Sequence, residues 1–213
     1  MKRYCLYLFI LIGISCSAEL KAQRNGTVYK GNDPAVRYTG RTLVSSDGSV
    51  AFDWVGTYLE TRFTGGRLSV KVSETGTSYY NVFVDGKLHK VVKVCGTDTL
   101  IHLVSGIDKR IHSLKIQKRS EGEFGKTTIH QFVLSGSGRL AEEPAVRTRH
   151  IEFIGNSLTC GYGTDGKHRD EPFLVETENC NLTFASMVAR YYDADYTLIA
   201  HSGRGAARNY GDS

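Results

Sequence analysis

From about residue 25 to residue 140 the chain alternates between core-type and solvent-type side chains, and nowhere in that stretch do apolar residues fall at helical spacing. Leu68, Val70 and Val72 keep the two-residue beat, as do Tyr80, Val82 and Val84, and then His112, Leu114 and Ile116. A period of two sends successive side chains to opposite faces of a strand, so one face of each run is made for burial. Turn signals punctuate the runs at Asp47-Gly48, Gly65-Gly66, Asp85-Gly86, Gly106 and Gly125. Strands at such spacing predict an all-β sandwich, and about 115 residues suffice for a two-sheet core. Trp54 reads as a member of that core.

The period then changes. Gly136 to Val146 is polar and rich in breakers, which marks a linker. Beyond it an apolar run, Ile151, Phe153 and Ile154, stops at Gly155, and Ser157, Gly161 and Gly163 follow. This is a strand ending in a glycine-bounded turn, the place where open α/β sheets bind ligands. The residue two after the serine is Thr159, so the stretch is not a Gly-x-Ser-x-Gly elbow, and no Lys-Ser/Thr makes it a phosphate loop. A charged loop, Thr164 to Glu176, precedes Leu182, Ala185, Val188, Ala189 and Tyr192 at helical spacing, with Asn179 or Asn181 as N-cap. Asp193 to Asp195 ends that helix, and Tyr196 to Ala200 is a second buried strand. Strand, helix, strand at this length predicts a parallel pair with a right-handed crossover, which brings Ser202-Gly203 beside Ser157.

Lys2 and Arg3 before the apolar run Tyr4 to Ile14 read as a signal peptide over residues 1–22, cleaved after Ala18 or Ala22. Acylation at Cys16 is the lesser alternative, since Gly13 fits a lipoprotein signal poorly. The mature chain is therefore expected to be exported, periplasmic, extracellular or on the cell surface, with no membrane span. Losing Lys2, Arg3, Lys21 and Glu19 lowers the formal charge from +5 to +3. No basic run remains, which argues against nucleic acid as a partner. Cys95, Cys160 and Cys180 survive cleavage; either Cys160 and Cys180 close the loop after the serine turn, or all three stay as free buried thiols. No cysteine or histidine spacing suggests a metal site.

Gly155-Asn156-Ser157-Leu158 resembles the first block of the SGNH (GDSL-type) hydrolases, and Thr159-Cys160-Gly161-Tyr162-Gly163 narrows the resemblance to the second carbohydrate esterase family. Ser202-Gly203-Arg204-Gly205 and Arg208-Asn209-Tyr210 are similar to that family's second block. The resemblance implies two domains: an N-terminal jelly-roll over residues 25–140, then the start of an α/β SGNH hydrolase with a flavodoxin-like parallel sheet over 147–213. It implies deacetylation of plant-type polysaccharides such as xylan or glucomannan, without a cofactor or metal.

In that chemistry Ser157 is the nucleophile, and the backbone N–H groups of Gly203 and Ser157 meet the developing oxyanion. Asn156 stands where the family usually has Asp; it keeps a hydrogen bond across the turn but brings no charge. Arg204 and Arg208 are candidates for substrate contact or plain surface charge. The family's Asp-x-x-His and Gly-x-Asn-Asp blocks are absent, and His150, His168 and His201 match no family position. The expectation is an N-terminal fragment of an acetyl esterase, inactive as it stands. The rival from another class is a carbohydrate-binding or adhesion sandwich with a vestigial hydrolase tail. A third reading, another SGNH acyl hydrolase acting on lipid or thioester substrates, fits the leading sandwich less well.

Overall fold

The structure, a computed structural model, describes residues 26–142 and 144–212, so the expected signal peptide lies outside the described residues. Nine strands form the leading half: β1 (Thr27–Lys30), β2 (Val36–Thr39), β3 (Leu43–Val44), β4 (Val50–Phe52), β5 (Tyr58–Glu74), β6 (Thr77–Val84), β7 (Lys87–Cys95), β8 (Thr99–Lys118) and β9 (Thr127–Ser135). All pairings among them are antiparallel. The main path runs β3-β4-β9-β5-β8-β6-β7, with β1 on β9 and β2 on β5. The separate sheets of the expected sandwich are thus one hydrogen-bonded ladder, because β5 and β8 are long enough to serve both halves.

The change of face happens at the Gly65-Gly66 signal. Before it Leu59, Thr61 and Phe63 point inward, and after it Leu68, Val70 and Val72 do, a shift from odd to even positions. Register shifts between Thr64 and Ser69 supply the extra residue. Both halves of β5 therefore feed one core, with Phe132, Leu134, Leu103 and Leu114. At Gly66 the backbone has φ +98°, and a Cβ would lie 2.4 Å from the Ser135 carbonyl oxygen, so only glycine fits. The Asp85-Gly86 signal is a two-residue hairpin turn joining β6 to β7, with both residues at positive φ.

Trp54 does not join this core. It is half-buried beneath Arg41, whose guanidinium stands 5.5 Å from the ring centroid, so a cation–π contact holds the indole at the surface. Within the stretch that reads as a linker, Arg139 and Ala141 hydrogen-bond to Thr64 and Arg62 of β5, and Leu140 is buried with the β core.

The second half holds β10 (His150–Gly155), helix α1 (Ser157–Cys160), helix α2 (Phe184–Tyr191) and β11 (Asp195–Ala200). β10 and β11 pair in parallel, with Gly155 opposite Ala200. The position before α2 is Thr183, not Asn179 or Asn181. Asn179 caps a separate 3-10 turn, Cys180–Leu182, where its side-chain oxygen accepts from the Asn181 N–H at 3.2 Å. A second, smaller core joins the halves: Val55 and Tyr58 pack with Cys160, Cys180, Ala185, Tyr196 and Leu198. Among the described residues no helix is long and apolar enough to cross a membrane.

Candidate active site

The serine turn is shaped by its small residues. A Cβ at Gly155 would lie 2.0 Å from Thr159 Oγ1, and Thr159 is itself buried, so the strand passes directly under the first helical turn. Gly161, at φ +83°, ends α1 with its Cα 's missing side chain facing the Asn179 carbonyl, 2.4 Å from where a Cβ would sit. Asn156 is the N-cap of α1, its side-chain oxygen accepting from the Leu158 N–H at 3.2 Å. Capping needs an acceptor and not a charge, which is how Asn serves there.

Because β10 and β11 run in parallel and in register, their carboxyl ends open on the same space. A cavity of about 660 Å³ is lined there by Asn156, Ser157 and Tyr162 from the first turn, and by Ser202, Gly203, Arg204, Arg208 and Tyr210 from the second. The two motifs separated in sequence thus face one cavity. Among the described residues, no acceptor pairs with the N–H of Ser157 or Gly203, and no partner bonds Ser157 Oγ. Two free N–H donors beside a hydroxyl are the elements of acyl transfer apart from its base. Arg204 and Arg208 make no ion pair among the described residues and face the cavity. His150 sits at the opposite end of β10 and bonds Thr197 Oγ1 at 3.0 Å. His201 lies outside the cavity wall, 3.6 Å from a carboxylate oxygen of each of Glu121 and Glu123.

The β half contributes a wall that the sequence motifs do not announce. Glu123, in the 3-10 turn Gly122–Phe124 after β8, lines the cavity. Beside it Gln117, Lys118, Arg119, Ser120 and Glu121 are all buried. Each has a partner in the second half or in the β core. Gln117 donates to the Tyr196 hydroxyl, and Arg119 donates to the Glu178 carbonyl at 2.6 Å and to Asp165. Lys118 donates to the Gly125 carbonyl at 3.1 Å, and burial pulls its pKa down to about 8. Glu121 accepts from Ser202, as does Glu178 from the Glu121 N–H at 2.8 Å.

Cys160 and Cys180 are free, buried thiols and form no disulfide, whereas Cys95 is free but exposed at the end of β7 and not buried. Burial pushes the Cys160 thiol far up and that of Cys180 to about 12. Ligand atoms of Glu121, Cys160 and Glu178 lie within 4.8 Å of one another. That grouping suits a shared proton better than a cation: burial first, then the Glu121 carboxylate, raises the Glu178 pKa to about 9, and both Glu121 oxygens are already taken by Ser202.

A cavity at the ends of β10 and β11 thus brings a serine hydroxyl and free backbone N–H groups together beside an antiparallel β half, and the comparisons supply the family. Residues 38–144 match the family described as Carbohydrate esterase 2 N-terminal. Over 180 residues, 84% of this chain, the protein is 34% identical to Cellulase/esterase CelE of Acetivibrio thermocellus, covering 22% of that protein. It is 28% identical over 180 residues to an acetylxylan esterase / glucomannan deacetylase of Cellvibrio japonicus, covering 50% of it. A solved family two carbohydrate esterase from Clostridium thermocellum, in complex with cellohexaose, superposes with a TM-score of 0.79 at 34% identity, over 83% of this chain and 54% of that one. The chain belongs to carbohydrate esterase family 2. It spans half or less of the length of these curated relatives.

Proposed function

We propose that this chain is the leading part of an exported serine esterase that removes O-acetyl groups from plant-type polysaccharides such as xylan or glucomannan. The reading divides it into a jelly-roll domain over residues 25–140 and the start of an SGNH α/β hydrolase over 147–213. The observation that carries it is the convergence of Ser157 and Gly203 on one cavity with both backbone donors free. Ser157 gives its proton to the base and attacks the acetyl carbonyl, the N–H groups of Ser157 and Gly203 hold the oxyanion, the sugar oxygen leaves with that proton, and water then hydrolyses the acetyl-serine to release acetate. The base comes from residues beyond those described. Supporting this, Ile154, Leu158, Phe184, Met187 and Tyr191 are exposed around a two-stranded parallel sheet, an arrangement that elsewhere has both faces covered. Aromatic residues Tyr162 and Tyr210 at the cavity suit a sugar ring, and no charge run suits nucleic acid.

The test is acetate release from acetylated xylan and from a small acetyl ester by the protein with its complete hydrolase domain. Ser157→Ala should lower kcat at least about 10³-fold with the fold intact. Residues 23–213 alone should show no turnover above the Ser157→Ala background. Activity of the full enzyme that survives Ser157→Ala would refute the assignment.

A further inference from the structure

Behind the Ser202-Gly203 turn stands a buried carboxylate with no part in the chemistry above. Glu121 is 1% exposed and belongs to the β half. One of its oxygens accepts the Ser202 N–H at 2.7 Å, and the other accepts the Ser202 hydroxyl. On the far side of the turn the Gly203 carbonyl accepts from the Tyr210 N–H at 2.8 Å. The peptide unit carrying the Gly203 N–H is therefore clamped at both flanks, at a residue whose φ of +75° leaves it free to swing otherwise. An oxyanion donor works only within a few tenths of an ångström of its target, so the clamp bears directly on catalysis.

We propose that Glu121 is a positioning residue for the oxyanion donor: the β domain, through this carboxylate, fixes the aim of the Gly203 N–H. The inference rests on Gly203 serving as that donor. A carboxylate is the one side chain that accepts two converging donors with charge assistance at each. Glu178, whose pKa burial raises to about 9, shares the site, and His201 stands 3.6 Å from Glu121 on the second turn. Glu178 Oε1 is buried without a hydrogen-bond partner among the described residues, and a Glu178 carboxylate oxygen lies within 4.8 Å of ligand atoms of Glu121 and Cys160.

Amide exchange measured by NMR on the 213-residue chain tests this without requiring activity. In Glu121→Gln the Ser202 amide should exchange roughly tenfold faster or more, the loss of one charge-assisted hydrogen bond, and the Gly203 amide resonance should shift. The amides of β10 and β11 should keep their protection. Ser202→Ala, which removes the hydroxyl contact alone, should produce a smaller change in the same direction and serves if Glu121→Gln does not fold. Glu178→Gln, which imitates the neutral acid, should leave the Ser202 amide as it is. In the full enzyme Glu121→Gln should lower kcat roughly tenfold to a hundredfold with KM within about twofold. Unchanged Ser202 and Gly203 amides in the folded variants, or a fall in turnover carried by KM, would overturn the proposal. Failure of the esterase assignment itself would appear separately, as activity indifferent to Ser157→Ala.

Discussion

Glu178 binds a proton in the folded protein that it would lose when unfolded, because burial raises its pKa from 4.5 to about 9. An acid with a raised folded pKa gives up stability as pH climbs from its unfolded value towards its folded one. Between about pH 4.5 and 9 this single group tilts stability downward by at most about 1.4 kcal/mol per pH unit. Glu178→Gln should flatten that slope, so thermal unfolding at pH 5 and pH 8 should bring variant and parent together at the acid end and separate them at the alkaline end, the variant higher. At this scale Gly155, Ser157 and Gly161 were legible in the sequence, since strand, turn and helix start each leave a local signature. Glu121 and Glu178 were not. A carboxylate at the end of a strand looks solvated until its partners, some 60 and 80 positions away, are known.

Strand β5 shows what alternation conveys and what it conceals. Its period of two told which residues are buried after Gly65-Gly66, at Leu68, Val70 and Val72, and the glycine pair marked an interruption. The switch of parity across it is a property of pairing with β8 and β9, which a single strand does not record. That switch turns two expected sheets into one continuous ladder. Glycines in this bend differ in their surroundings, and substitution should separate them. Gly106→Ala meets open space at φ +69° and should cost about 1 kcal/mol, the price of left-handed backbone alone. Gly66→Ala adds a collision with the Ser135 carbonyl and should cost at least about 3 kcal/mol. Denaturant unfolding of the two variants measures the difference, and equal losses would remove close packing as the cause. The helix α2 was legible from its spacing, but its cap was not, because Asn179 is already committed to the turn before it and to the side chains of Asn81 and Asp165.

Across the whole molecule the halves are joined by charge as well as by packing. Arg37 and Glu60 of the β half meet Arg147 and Asp195 of the second, and the Tyr58 hydroxyl donates to Asp195 at 2.7 Å. Burial works against the Asp195 charge, yet hydrogen bonds from Arg37, Tyr58 and Arg147 win and hold its pKa at about 2. A depressed carboxylate pKa contributes stability above its unfolded value and loses it as pH falls through the folded one. Asp195→Ala should therefore destabilise the protein by about 3 kcal/mol at pH 7, because it takes a buried carboxylate partner from two half-buried arginines, and the gap should close between about pH 4 and 2. A gap independent of pH would mean that the side chain acts by volume and not by charge. The sequence located both halves through their two hydrophobic periods, and it placed the serine and glycine motifs together through the parallel pair. It gave no sign of the surface between them, since Gln117 to Glu121 has the composition of an exposed loop.

That buried polar run bears on how such a chain can be recombined. A domain that meets its neighbour through interchangeable apolar residues can be transplanted, because grease packs against grease in many arrangements. Here Gln117, Arg119 and Glu121 find their counterparts in Tyr196, Asp165 and Ser202 by shape, donor count and sign. A chimera that exchanged the first 140 residues for those of a distant cousin would arrive with the wrong lock for these keys. The two halves fit as a matched set.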